Sequence, residues 1–464
     1  MTDHLQNSHK IKVAIAGASG FIGSHLIEKI KSRFDLICFS RSKKKSSDIK
    51  WVETDLFSYS SVLHALEGAN VAVYLVHSML PSTRLFQGNF QDTDLFIADN
   101  FARACVHHKV KQIIYLGGLV PEVGISKHLE SRKEVEEVFK STGIPTTILR
   151  AGMVVGDGGS SFEILRNLVH NLPVMVLPKW TGSHTQTIFI DDLVDVLSEA
   201  ILNEQFFDKT LDVVNGENIT YEDLIRITAK HFNKSNLTLS VPINSTSFSK
   251  LWVTLFGDSS YELVSPLIDS LKCDLPTPKI PIEIESLIKY RNYSEMLKQI
   301  THVKGKKSLV RTKKLIECNT VRSIQRLGSS KEIQVKNISD LYTKWLPTHL
   351  KNLIRVNVEE DKVIFYPAIL DIPLLILQRQ REYADLNRIK FHIIGGILTK
   401  TKNTGWLEFR KVSGGDFILA SINEFVPSLP WYIYKYSQAI IHLKVMKDFS
   451  HFLENYNFSR EGRK

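Results

Sequence analysis

Only four of the 464 residues are cysteine (Cys38, Cys105, Cys273 and Cys318). They lie far apart, without a Cys-x-x-Cys pair or a zinc-type spacing. This excludes a disulfide scaffold and points to reduced thiols in a cytoplasmic protein. No run reaches about 18 uncharged apolar residues, so no membrane-crossing helix is expected. The first ten residues are polar and carry Asp3, and the apolar run after them is short and broken by glycine, which does not fit a secretory signal. There is no P-loop, no G-x-S-x-G elbow, no H-E-x-x-H and no internal repeat. Apolar residues at 43% and charged residues at 23% are ordinary for a globular chain, and exclude collagen, coiled coil and wholesale disorder.

The net charge is +10, and it is uneven. Residues 301–336 carry ten Lys or Arg against two Glu, mostly around Lys304–Lys307 and Arg311–Lys314. A basic stripe over a whole fold would suggest nucleic acid; a local block reads instead as a solvated linker, or as a patch for an acidic partner or a membrane surface. No nucleic-acid partner is expected, and the oligomeric state is left open.

The first half alternates apolar strands with helical patterns. Strands are expected at Ile11–Ala16, Leu36–Phe39, Val71–Val76, Gln112–Leu116 and Thr146–Leu149, with helices at Ser24–Ser32, Tyr59–Glu67, Asp94–His107 and Lys127–Ser141. Such alternation implies an α/β fold, a doubly wound parallel sheet of Rossmann type. We place this domain at 10–300, with substrate-side elements from about 150, then a basic linker at 301–318. An α+β domain follows at 319–464, with antiparallel strands in Asn352–Phe365 and Arg388–Glu424 and a helix over Tyr432–Asn455. Ile433, Ile440, Leu443, Met446 and Leu453 would share one face of that helix. A curved sheet around a long final helix would be helix-grip-like and could enclose an apolar pocket. The alternative is a packing domain whose aromatics (Trp406, Trp431, Tyr432, Tyr434 and Tyr436) are core. The cluster at 431–436 also allows peripheral membrane contact.

The sharpest local signal is Ile11-Lys-Val-Ala-Ile-Ala-Gly17-Ala-Ser19-Gly20-Phe21-Ile22-Gly23. A strand runs through three glycines into a helix. Gly17 permits the tight turn, Gly20 lets a pyrophosphate approach the backbone, and Gly23 lets the helix pack close to the strand. The helix N-terminus then offers N–H groups to phosphate. The second strand ends at Ser40-Arg41, where an enzyme selective for NAD would place Asp or Glu. Arg41 can pair with a 2′-phosphate, so NADP(H) is preferred, with NAD(H) possible. The alternative is that 41–45 is simply a basic loop. Asp55-Leu56 follows the third strand, where a carboxylate can accept from the adenine amino group. His77 follows the fourth strand, where it could contact ribose or nicotinamide; the alternative is a plain loop histidine. Asp191-Asp192 reads as an N-cap pair for a helix over Leu193–Ala200.

Together these residues resemble the short-chain dehydrogenase/reductase superfamily in its extended and atypical branches. The loop Gly17–Gly23 carries the likeness, with Asp55-Leu56, Tyr74-Leu-Val-His-Ser-Met79, Asn100-Phe-Ala-Arg-Ala-Cys105 and Gln112-Ile-Ile-Tyr-Leu-Gly-Gly118. His128-Leu-Glu-Ser-Arg-Lys-Glu-Val135, Leu149-Arg-Ala-Gly-Met-Val-Val-Gly156 and Leu172-Pro-Val-Met-Val-Leu-Pro178 are similar to a bacterial NAD(P)-binding subgroup with a fused C-terminal domain of unknown function. So are Val321–Leu327, Gly405–Arg410 and Leu429–Trp431. The resemblance implies an oxidoreductase acting on a carbonyl or quinone-like small molecule.

The superfamily's usual chemistry needs Ser, Tyr and a Lys four residues after the Tyr. None of the fourteen tyrosines here has that Lys. In its place stands His128-Leu-Glu-Ser-Arg132, and Gly117-Gly118 replaces the Ser. His128 is the candidate acid, since an imidazole titrates near 6.5. Arg132 cannot relay a proton but can hydrogen-bond ribose or a substrate carboxylate. Substrate would lie against Met153–Asp157 and Ser160–Phe162. The competing reading is a non-catalytic dinucleotide-binding redox sensor or assembly factor controlling a partner.

Overall fold

The computed structural model describes residues 10–44, 46–77, 85–121, 124–235, 237–241, 269–272, 274–275, 279–300, 320–328, 334–385, 387–401, 403–415 and 417–456. The described part of the chain forms two units. The first comprises residues up to 77 and 97–300; the second comprises 85–96 and 320–456.

The first unit is built on seven strands in the order Thr210–Val213, Thr146–Ala151, Gln112–Gly118, Val71–Tyr74, Lys12–Ala16, Asp35–Ser40, Lys50–Glu53, every adjacent pair parallel. After their first residues its central strands are apolar, because helices cover both faces. Val13, Ala14, Ile15 and Ala16 are fully buried, as are Ile113, Ile114 and Tyr115. The first strand lies between the second and the fourth, so the order reverses beside it, and that switch point opens a crevice at the C-terminal edge of the sheet.

Local chemistry sets the helix ends. Ser58 accepts from Ser61 N–H to start Tyr59–Ala65, and Ser126 accepts from Leu129 N–H to start Lys127–Lys140. Thr220 and Asp223 form a capping box for Tyr221–His231. The expected cap pair at 191–192 is corrected. The helix spans Ile190–Glu199 with Phe189 at the N-cap, and both aspartates sit inside its first turn. Asp192 is fully buried and accepts from the Arg291 guanidinium at 2.9 Å.

The second unit is an eight-stranded mixed sheet with helices. Its order is Ile354–Glu359, Lys362–Pro367, Leu375–Asp385, Arg388–Gly395, Trp406–Lys411, Ile418–Phe425, Val321–Leu327, Leu85–Gln87. All neighbours are antiparallel except the last pair, where Leu85–Gln87 runs parallel to Val321–Ser323. The expected C-terminal helix is two helices, Trp431–Tyr436 and Gln438–Asn455, because Ser437 leaves helical geometry at φ −129° and ψ −90°. The break also changes the buried face. Ala439, Val445, Met446, Phe449 and Leu453 point inward, whereas Ile433 and Ile440 are exposed. A helix over Val335–His349 joins the same core, where Tyr342, Trp345, Phe409 and Phe449 pack ring against ring. Of the aromatics expected as core, Trp406 and Tyr434 are buried, and Tyr432 and Tyr436 are exposed. The basic segment 301–318, Cys273 and Cys318 lie outside the described residues. Among the described residues no helix is long and apolar enough to cross a membrane.

Candidate functional site

In a parallel sheet every strand delivers the loop that follows it to the same edge. The loops after Lys12–Ala16, Asp35–Ser40, Lys50–Glu53 and Val71–Tyr74 therefore bring Gly17, Arg41, Asp55 and His77 to one edge, joined by Gly117 and Gly118 at the end of Gln112–Gly118.

Gly17 turns the chain at φ +89°, and a Cβ there would lie 2.9 Å from the Leu75 carbonyl oxygen. That backbone region favours glycine. Gly20 N–H donates to Gly17 O at 2.9 Å and closes the loop. The helix Phe21–Ile30 follows at once. No side chain caps it and no acidic residue sits in its first turn. Its N–H groups and positive end are thereby left for an anion. A Cβ on Gly23 would stand 2.3 Å from Gly17 O, so the helix packs directly against the loop backbone. The loop presents bare backbone at Gly20, where a Cβ would meet only Gly17 O at 3.2 Å, and this fits a dinucleotide pyrophosphate.

A cavity of about 540 Å³ adjoins this loop. Gly17, Gly20, Phe21, Ile22 and Gly23 line it, together with His77, His128 and Arg132. Ser19, Ser40, Arg41, Asp55 and Leu56 are not part of its wall. Arg41 is exposed beyond the buried end of the second strand, and Ser40 Oγ accepts from Ser42 N–H at 3.4 Å. Asp55 is exposed, and its Oδ1 accepts from Phe57 N–H at 3.1 Å. The Leu56 carbonyl accepts from Asn100 Nδ2 at 2.8 Å, which fixes this loop.

Of the expected substrate wall, Met153, Val154, Ser160 and Ser161 line the cavity, whereas Phe162 belongs to the core and Asp157 pairs with Arg166. Further lining residues were given no site role by the sequence. Ile164, Leu165 and Leu168 come from the helix Ser160–Asn171, and Val176 and Leu177 from the strand Val174–Pro178. Trp180, Tyr221, Leu271 and Leu275 also line the cavity. The one available signal was the strong amphipathicity of Ser160–Asn171 and Tyr221–His231, which reads equally well as core packing.

His128 and Arg132 sit one turn apart on Lys127–Lys140 and face the same cavity. Burial first, and then the Arg132 charge, push the His128 imidazole down to about 3. His77 is open to the cavity yet ringed by protein, and crowding, then Arg132, then His128 hold it down to about 3. Both rings are uncharged at neutral pH. An uncharged His128 ring still carries one N–H that can donate to a substrate oxygen. Arg132 is 8% exposed. It donates to the Val76 carbonyl at 3.4 Å and lies 5.7 Å from the centre of the Tyr115 ring. Glu136, one turn further along, is fully buried and takes both its bonds from Arg150, at 2.8 and 2.6 Å. The two described cysteines are buried thiols; burial pushes Cys38 up to about 12 and Cys105 higher still, so neither is a nucleophile.

Residues 17–169 match the NAD(P)H-binding family NAD_binding_10. Over 113 residues, 24% of this chain, the sequence is 34% identical to auxiliary protein GraX of Staphylococcus aureus, and the match covers 37% of that protein. Over 295 residues, 58% of this chain, it is 21% identical to UDP-glucose 4-epimerase of Vibrio cholerae, covering 88% of that enzyme. Among solved structures, a nucleoside-diphosphate-sugar epimerase of Staphylococcus aureus superposes with a TM-score of 0.50 at 15% identity, covering 62% of this chain and all of the other. That likeness is one of fold. The first unit is an NAD(P)-binding Rossmann domain.

Proposed function

We propose that this domain binds NADP(H) in preference to NAD(H) and reduces a carbonyl or quinone-like small molecule in the adjoining cavity. One observation carries the reading: the glycine cradle, His128 and Arg132 line a single apolar cavity at the C-terminal edge of the sheet. Gly17, Gly20 and the first turn of Phe21–Ile30 would hold the pyrophosphate, and Arg41 the 2′-phosphate, with Asp55 toward the adenine. A bound nicotinamide supplies the hydride.

The chain's own groups then have distinct tasks. His128, uncharged at neutral pH, would donate a hydrogen bond to the substrate oxygen, and the proton that completes the reduction would come from water reaching that oxygen. Leu168, Val176, Leu271 and Leu275 exclude water from the reacting face.

A second reading, a dinucleotide-binding sensor or assembly factor, draws support from a different observation. The tyrosine and lysine of the superfamily are replaced by His128 and Arg132, and His128 is held uncharged. Turnover separates the two. NADPH oxidation would be followed at its nicotinamide absorbance with menadione and phenanthrenequinone as acceptors. The reductase reading expects turnover that falls at least tenfold in His128→Ala. Cofactor binding without turnover on any carbonyl or quinone would transfer the case to the sensor, and unchanged turnover in His128→Ala would end its role.

A further inference from the structure

Arg132 is more than nine-tenths buried and is the one charged side chain among the described residues lining the cavity, where no Asp or Glu stands. Its partners are few. One guanidinium nitrogen donates to the Val76 carbonyl at a long 3.4 Å, and the Tyr115 ring lies 5.7 Å from its carbon. Among the described residues no carboxylate pairs with it. The obvious partner, Glu136 at i+4, is taken by Arg150 through two short bonds. Other arginines of the unit with little exposure are treated differently: Arg291 reaches the buried Asp192 at 2.9 Å and Arg103 reaches the buried Asp99 at 2.7 Å. His77 and His128 beside Arg132 carry no compensating negative charge.

A buried cation without a counter-charge is costly for a fold to keep. A guanidinium has five N–H donors in a planar fork matched to a two-oxygen anion. The rest of the lining is mostly apolar, with Leu168, Val176, Leu177 and Leu271 beside a few hydroxyls such as Ser160 and Thr181.

We infer that Arg132 seats a carboxylate or sulfonate on the substrate, so that the molecule this cavity takes is an amphipathic anion with an apolar ring body. The inference rests on reading this cavity as the substrate chamber beside the cofactor. On that reading the glycine loop is the seat of the pyrophosphate and Arg132 the seat of a different anion in the same cavity, a distinction the NADP⁺ titration below tests.

The test uses a matched pair of probes on the full chain saturated with NADP⁺, which is not fluorescent. 1-Anilinonaphthalene-8-sulfonate carries the anion; N-phenyl-1-naphthylamine has the same rings without it. Titrations on wild type, Arg132→Gln and Arg132→Lys would be compared. The expected result is a tenfold or greater loss of sulfonate affinity in Arg132→Gln, partial recovery in Arg132→Lys, and less than a threefold change for the uncharged probe and for NADP⁺. Unchanged sulfonate affinity overturns the inference. So does a loss confined to NADP⁺, which would give the guanidinium to the cofactor. If both probes weaken together in Arg132→Gln, Arg132→Lys decides: recovery of the sulfonate alone supports the anion seat, and no recovery overturns it. Absence of NADP⁺ binding in wild type would sink the cofactor reading, while the contrast between the probes would still report on Arg132.

Discussion

Two glycines of the phosphate loop, three residues apart, should answer the same substitution in opposite ways. At Gly23, a Cβ would stand 2.3 Å from Gly17 O, 2.8 Å from Ala18 Cα and 3.0 Å from Ala18 C. All three are backbone atoms that cannot rotate away, so the helix must move off the loop. Overpacking of this kind costs about 1–3 kcal/mol and sometimes more, against a gain of up to about 1 kcal/mol from replacing a helical glycine. Gly23→Ala should therefore lower the stability of the first unit by about 1–2 kcal/mol. At Gly20 the backbone is extended (φ −78°, ψ 176°) and the Cβ meets only Gly17 O, at 3.2 Å. Stability should change by less than about 1 kcal/mol, since neither strain nor a severe clash is introduced. The new methyl enters the cradle instead. Losing one backbone hydrogen bond to a charged phosphate costs about 1.5–3 kcal/mol, a weakening of roughly 10- to 150-fold. Urea denaturation and an NADPH fluorescence titration on both variants measure the two effects. If Gly20→Ala binds NADPH as wild type does, the loop is not the phosphate site. If Gly23→Ala leaves stability intact, the packing argument fails.

Other consequences follow from single residues. Arg41→Ala should weaken NADPH binding tenfold or more and leave NADH within twofold; equal losses would remove the case for a 2′-phosphate contact. Glu136→Ala should destabilise the first unit by about 3–5 kcal/mol in urea melts, because it leaves the half-buried Arg150 without its carboxylate. The imidazole of His128 is held down to about 3, below its unfolded value near 6.5, so it stabilises the fold above pH 6.5 and that contribution is lost as pH falls toward 3. Between pH 6.5 and 5, stability should fall by at most roughly 2 kcal/mol on account of His128. Comparing urea midpoints of wild type and His128→Asn across that range checks the sign: the variant should show the shallower slope.

The parallel sheet was legible because its strands are buried on both faces and punctuated by glycine, serine and aspartate. The loop Gly17–Gly23 was legible because close backbone contacts at Gly17 and Gly23 tolerate no side chain. The rest of the cavity lining was not. Leu168 and Ile225 lie on helix faces whose apolar periodicity is the same whether they meet a core or a ligand. Leu85–Gln87 escaped for another reason: three residues whose partner lies more than 230 positions away carry no local pattern. The break at Ser437 was hidden because serine is unremarkable in a helix, and its Oγ bond to the Ile433 carbonyl is visible only in three dimensions. The burial of His128 could not be read from a helix sequence, yet it decides the ring's charge and thereby its role.

The most direct measurement is a titration of the full chain with NADPH and with NADH, followed by nicotinamide fluorescence. The account predicts saturable micromolar binding of both, with NADPH the tighter. Failure of either nucleotide to bind would contradict it at its centre, leaving the Rossmann sheet as a scaffold and the glycine loop as a turn.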